Sequence, residues 1–281
     1  MVRIVSRGGL LAAIAGVLCT VGAQAAEMPP LPDQIEQQGV VQVGVKCDYP
    51  PDGYLDASGK PVGIEVEMAR ELAEYAFGSR DKVELTCVTS SNRVPSLVGS
   101  KVDLLIATMG VTPARAEVVD FTRPYAWSAS SVLVPADSDI QSMKDLDGKT
   151  VGLVKGAWQI SWFDENMPGV EQMRLDSVSD VLQAMMQGRA VAYAHDFPVQ
   201  LGLATKNDRL RMLDDRYKIG TRAAAARKGE TDWVAYVNAA LDRMAETGRF
   251  EEWIRKYEDD PGLIEAKLKL WDVSQMPKAA E

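Results

Sequence analysis

Along the first half of the chain the apolar positions alternate between two periods. Val40–Lys46 (VVQVGVK) is a β-branched run and predicts a strand, stopped by the turn Tyr49-Pro50-Pro51-Asp52-Gly53. A second turn follows at Ala57-Ser58-Gly59-Lys60. Val66, Ala69, Leu72, Ala73 and Ala76 then recur at helical spacing, and Gly78 ends that helix. Val83–Val88 predicts another strand, Val94–Val98 a short helix and Val102–Ala107 a third strand. Thr112-Pro113 reads as a helix start, with Thr as N-cap and Pro in the first turn. Alternation of this kind builds a mostly parallel, open α/β sheet.

From Tyr125 to Val134 the pattern becomes an extended run, and then the rhythm restarts. Asp147-Gly148-Lys149 is a turn and Thr150–Val154 a strand. Ile160–Met167 and Val178–Met186 predict helices, and Ala190–Ala194 a strand. Residues 94–107 and 181–194 echo one another: a short apolar helix, a small residue, a basic residue, then a buried strand. Two similar lobes would produce this echo, and so would any pair of α/β units. Ile219–Arg227 is rich in small residues and reads as a return crossing. The chain ends in helices: Trp233, Val237, Leu241 and Met244 form one stripe, closed by Gly248. Trp253, Ile254 and Tyr257 continue a second face, and these aromatics read as core.

Composition narrows the class. The chain has 281 residues, 46% hydrophobic and 25% charged, enough for one large domain or two small ones. Arg3 and Arg7, the uncharged run Gly8–Val21 and Ala23-Gln24-Ala25 predict a signal peptide over residues 1–25, and hence a periplasmic mature protein. The run is short for a membrane span. Leu18 before Cys19 does not fit a lipoprotein site. Net charge is −9 with no basic block, which argues against nucleic acid or an anionic membrane as partner. Cys47 and Cys87 suit either a disulfide or two free structural thiols. A single histidine gives no Cys/His metal spacing, so neither a metal nor a cofactor is expected.

The chemistry gathers at Ala107-Thr108-Met109-Gly110-Val111-Thr112-Pro113-Ala114-Arg115, where a strand ends, a glycine loop follows and a helix begins. Ligands of open α/β sheets bind beyond the carboxyl ends of strands, and free loop N–H groups favour an anion. Arg115 could add a forked, charge-assisted donor, although alone it reads rather as a surface helix arginine. The run 107–125 (ATMGVTPARAEVVDFTRPY) closely resembles the amino-acid-binding proteins of polar amino acid ABC importers, solute-binding protein family 3. Similar matches occur at 43–53 with 61–67, at 90–95, at 145–152 and at 194–196, in order, over nearly the whole mature chain.

The resemblance implies a two-lobed periplasmic binding protein (type II), with two α/β lobes joined by two crossing hinge strands and closing on a ligand. Lobe 1 would comprise residues 33–127 and 222–268, and lobe 2 residues 130–218, with 269–281 as a tail. Arg115 would bind the ligand α-carboxylate, helped by Thr108 and the backbone of Gly110. Asp196 would pair with the α-ammonium, Tyr49 would pack over the ligand, and Gly156-Ala157-Trp158 would close from lobe 2. Lys46 and Arg93 match positions that reach an acidic side chain, implying an acidic or amide amino acid; alternatively either cation pairs with Asp48 or Asp52. Asp52 stands where an aromatic residue is usual, and Trp158 where many relatives carry threonine. The implied protein is a monomer without enzymatic activity that delivers its ligand to a membrane permease. Two rivals are a receptor serving a sensor or an enzyme, and a periplasmic dehydratase using Asp52 or His195 as its acid.

Overall fold

The computed structural model describes residues 28–277; the expected signal peptide, residues 1–25, lies outside them. Val41–Lys46 pairs in parallel with both Val83–Val88 and Leu104–Ile106. Val41–Lys46 and Leu104–Ile106 are mostly buried, as inner strands covered on both faces require, while Val83–Val88 lies at the sheet edge with only Val88 buried. Helix Ile64–Phe77 crosses between them and stops at Gly78, which is left-handed and donates its N–H to Glu74 O. In the second lobe Thr150–Val154 pairs in parallel with Ala192–Asp196 and with Glu171–Leu175.

Two long strands join the halves into a single sheet. Val119–Pro135 and Tyr217–Arg227 run antiparallel, from Val119 opposite Arg227 to Ser130 opposite Tyr217. Val119–Pro135 then continues into the second lobe, where Ser130 lies opposite Asp196. These are the two crossings. Their register slips between Tyr217 and Gly220 and again around Arg222–Ala225, and Lys218 takes a left-handed φ of 46°. Such irregularities bend a ladder and re-aim its side chains.

Each lobe has its own core. In the first, Val41, Val43, Ile64, Met68 and Leu72 pack against Trp233, Val237, Leu241, Met244 and Trp253, so the aromatic stripe of the last helices is core. In the second, Val132, Leu146, Val151, Leu153 and Phe163 fill one sheet face, and Val181, Met185 and Tyr193 the other.

The structure departs from the sequence pattern in several places. The extended run 125–134 is the middle of a 17-residue strand. The helix opened by Thr112 is only Pro113–Ala116, although Thr112 caps it as expected by accepting from Arg115 N. Glu171–Leu175 is an edge strand whose side chains are half-buried or exposed, so it carries no apolar signature. Residues 269–277 are not a free tail. Helix Pro261–Leu270 is capped by Asp260, Leu270 and Trp271 are buried in the first-lobe core, and Trp127 Nε1 donates to Lys269 O and Asp272 O. Cys47 and Cys87 are joined as a disulfide with Cα atoms 5.5 Å apart, which decides between the two readings of these cysteines.

Candidate functional site

The floor of the site is set by the start of helix Ile64–Phe77. Its first amides donate to carbonyls of the preceding turn, Ile64 N to Pro51 O at 3.1 Å and Glu65 N to Asp52 O at 2.8 Å. Gly63 permits this approach: its φ is +128°, and a Cβ there would lie 2.5 Å from Asp52 O. Glu65 is thereby fully buried beneath the end of strand Leu104–Ile106. Both its oxygens accept from Thr108 N at 2.9 Å, and Oε1 accepts from the Tyr125 hydroxyl at 2.5 Å. Thr108 has a φ of +48°, costly for a β-branched residue, and the Glu65 carboxylate holds it there.

Burial, and then the nearby Asp52 charge, push the Glu65 carboxyl up to about 7, against hydrogen bonds from Tyr125 and Thr108 and the attraction of Arg222. A carboxyl raised on folding contributes stability that is full below its ordinary pKa and lost as pH rises through the folded value. The melting temperature of wild type relative to Glu65→Gln should therefore fall between pH 5 and pH 8. A difference independent of pH across that window would contradict the assignment.

Two guanidiniums converge above this floor. Arg93 Nη1 donates to Ala107 O at 2.6 Å and Thr108 O at 3.2 Å, while its Nε has no hydrogen-bond partner among the described residues. Burial, and then Arg115 beside it, lower Arg93 to about 9, so it stays charged at neutral pH. Arg115 Nη1 donates to Gly110 O at 2.6 Å and Nη2 to Gly156 O at 3.0 Å. Neither forms a salt bridge with a carboxylate among the described residues.

Asp196 faces them from the end of its strand. Its Oδ1 accepts from Trp158 Nε1 at 2.8 Å and Gln159 Nε2 at 2.7 Å. Its Oδ2 accepts from the Tyr49 hydroxyl at 2.7 Å and Arg222 Nη2 at 2.9 Å. Burial pushes this carboxyl up, but Arg222, His195 and the Tyr49 and Gln159 hydrogen bonds outweigh it and hold it at about 2. His195 Nδ1 accepts from Asp196 N. Burial overrides the Asp196 charge and, with Lys46 and Arg222, lowers the imidazole to about 4, so it is neutral at physiological pH.

Arg93, Thr108, Gly110, Arg115, Trp158 and Asp196 line one cavity of about 20 Å³. Lys46 and Tyr49 do not. Lys46 is buried and pairs with Asp48 at 2.7 Å, the alternative the sequence left open for it. Tyr49 reaches the site through its hydroxyl, which donates to Asp196 and accepts from Arg222. A larger cavity, about 290 Å³, lies behind Tyr49 between helices Phe197–Thr205 and Pro261–Leu270, but none of Arg93, Arg115 and Asp196 faces it.

Sequence reasoning missed Arg222. It is buried on the return crossing, with Nη1 on Asp52 Oδ2 at 3.0 Å and Nη2 on both Tyr49 and Asp196. Lys267 donates to the other Asp52 oxygen at 2.7 Å. Asp52 therefore neutralises neither Lys46 nor a ligand group; two basic residues from distant elements hold it. Position within Ile219–Arg227 was the available signal, since an arginine in the interior of a small-residue crossing strand must find a buried anion.

A model of the bacterial extracellular solute-binding proteins, family 3, matches residues 41–260, well over half of the chain. The chain belongs to that family. Among relatives of this solute-binding protein is the ABC transporter glutamine-binding protein of Bacillus subtilis (strain 168), 27% identical over 230 residues, covering 81% of this chain and 84% of the relative. The L-cystine-binding protein of Escherichia coli (strain K12) is 28% identical over 228 residues, covering 80% and 85%. Among solved structures, the solute receptor for L-cysteine of Neisseria gonorrhoeae superposes with a TM-score of 0.77 at 33% identity, covering 82% of this chain and 97% of that one. These coverages bear out the two-lobed, hinged α/β fold.

Proposed function

We propose that this solute-binding protein is an exported, monomeric receptor that captures an acidic or amide amino acid between its lobes and passes it to an ABC importer permease. The observation that carries the reading is the pair of guanidiniums, Arg115 and Arg93, converging on one cavity opposite Asp196 with no salt bridge to a carboxylate among the described residues. A zwitterion needs a cationic and an anionic partner at fixed separation, largely desolvated. Arg115 supplies the first and Asp196 the second. Arg93, with an unsatisfied Nε, is left for a side-chain acceptor. Arg222 and Lys267 offset Asp52, and Arg222 also bonds Asp196, so charge around the cavity favours a ligand with an extra negative group. Placing Arg115 and Asp196 on different lobes makes ligand binding favour the closed form.

The nearby titratable groups support binding over turnover. Asp52 is held by Arg222 and Lys267, and His195 is neutral with Nδ1 already bonded. Glu65, the one carboxyl raised towards neutrality, points to Thr108 and Tyr125 and does not line the cavity. The test is a thermal-shift screen of refolded protein against glutamate, aspartate, glutamine and asparagine, with cystine and arginine as contrasts. A ligand at 100-fold its Kd adds about 2.7 kcal/mol to the native state. The largest shift should come from glutamate or aspartate. A larger shift with cystine or arginine would overturn the acidic-ligand reading, and silence from every amino acid would overturn the receptor reading.

A further inference from the structure

The segment from Gly156 to Trp158 does more than border the cavity. The Trp158 indole lies in a slot bounded by Gly110, on the first-lobe loop, and Gly220, on the return crossing. A Cβ at either position would come within 2.8 Å or 2.5 Å of the ring. Gly156 sits directly on the first-lobe backbone, where a Cβ would lie 2.5 Å from Ser90 O. The space left beside the indole, about 20 Å³, holds about one water and no amino acid.

The bonds made by this segment are more telling than its position. Arg115, the cation allotted to a carboxylate, donates to Gly156 O. Asp196, the anion allotted to an ammonium, accepts from Trp158 Nε1. A carboxylate offers about four lone-pair directions, and Trp158, Gln159, Tyr49 and Arg222 take all of those on Asp196. An ammonium must displace one of them. Tyr49 and Arg222 are locked into the network around Asp52, and Gln159 also donates to Ser130, whereas Trp158 spends its one N–H on Asp196 alone and its ring fills the cleft against Gly110. A lid resting over a ligand would leave the Asp196 oxygens available.

We propose that Gly156–Trp158 is a built-in competitor for the cleft. The Gly156 carbonyl takes the place of a carboxylate on Arg115, and the Trp158 indole N–H takes the place of an ammonium on Asp196. This rests on the reading of the cleft as an amino-acid site. Two consequences follow. Without amino acid, the segment holds the lobes together. With amino acid, the apparent affinity is reduced by the fraction of time the segment is withdrawn.

The first arm of the test needs no ligand. Spin labels at Glu117→Cys and Glu165→Cys, exposed residues on opposite lobes, report the interlobe distance in protein to which no amino acid is added. The distance should be short and narrowly distributed in the parent, and longer and broader in Trp158→Ala. Trp158→Phe, which keeps the ring but loses the N–H, should fall between them. A Trp158→Ala protein as closed as its parent overturns the proposal, whatever the ligand is. The second arm measures affinity for the amino acid giving the largest thermal shift. Removing the competitor should tighten binding by about tenfold. Weaker binding by both variants would make Trp158 a ligand contact and overturn the proposal. If no amino acid binds, the receptor reading fails while the distance measurement still decides this one.

Discussion

Arg222→Met is expected to lower the melting temperature by roughly 10 °C. The guanidinium is the shared cation of two fully buried carboxylates and bonds the Tyr49 hydroxyl as well. Removing one partner from a buried ion pair costs about 3–5 kcal/mol, because the anion left behind has lost its compensation. For a protein of this size each kcal/mol corresponds to about 2–4 °C. Asp52 would keep Lys267, and Asp196 would keep three neutral donors, so the damage should be large without abolishing the fold. Adding Asp196→Asn to Arg222→Met should restore part of the loss, since Asp196 is the carboxylate left without a charged partner among the described residues. Thermal melts of the single and double variants check this. Additive destabilisation of the two changes would show that Asp196 and Arg222 are not energetically coupled.

Arg115→Ala is expected to weaken amino-acid binding by roughly 10²- to 10³-fold while shifting the melting temperature of protein without added amino acid far less than Arg222→Met. Its partners within the protein are two neutral carbonyls, so little desolvated charge is stranded when it is removed. Its partner in a complex would be a carboxylate, and truncating one side of a buried hydrogen-bonded charge pair costs about 2–5 kcal/mol of affinity. Arg115→Lys should recover only part of the loss, because a point-like ammonium cannot reproduce the fork that spans Gly110 O and a second acceptor. Isothermal titration with the amino acid selected by the thermal screen is the measurement. Unchanged affinity in Arg115→Ala would remove Arg115 from the carboxylate role.

What could be read from the sequence was whatever local periodicity or local turn chemistry determines. The strands Val41–Lys46 and Val83–Val88, the helix ended by Gly78 and the cap at Thr112 all depend on neighbours within a few positions. The loop 107–115 was legible as a strand end followed by a helix cap, and the segment 156–158 was pointed to by the family resemblance alone. Pairings across the fold were not. Lys46 and Asp52 looked like partners because they are six positions apart, yet the hairpin Asp48–Leu55 turns Asp52 inward to Arg222 and Lys267, residues 170 and 215 positions away. The helical pattern that begins at Val66 does not single out Glu65, and only the tertiary approach of Thr108 reveals it as the support of the loop 107–115. The edge strand Glu171–Leu175 was missed because an exposed edge imposes little hydrophobic pattern on its residues.

The order of the chain through the two lobes has a consequence for biosynthesis. The second lobe is one continuous stretch between the crossings, so its partners emerge together and can associate as soon as they are made. The first lobe begins at Ile35 but is completed by Trp233, Trp253 and Trp271, nearly at the end of the chain. Until those residues are synthesised, the core around Val41, Ile64, Met68 and Leu72 has only its early partners, such as Leu104 and Ile106, and lacks the side supplied by the last helices. The half made first is therefore finished only after the whole second lobe has been made.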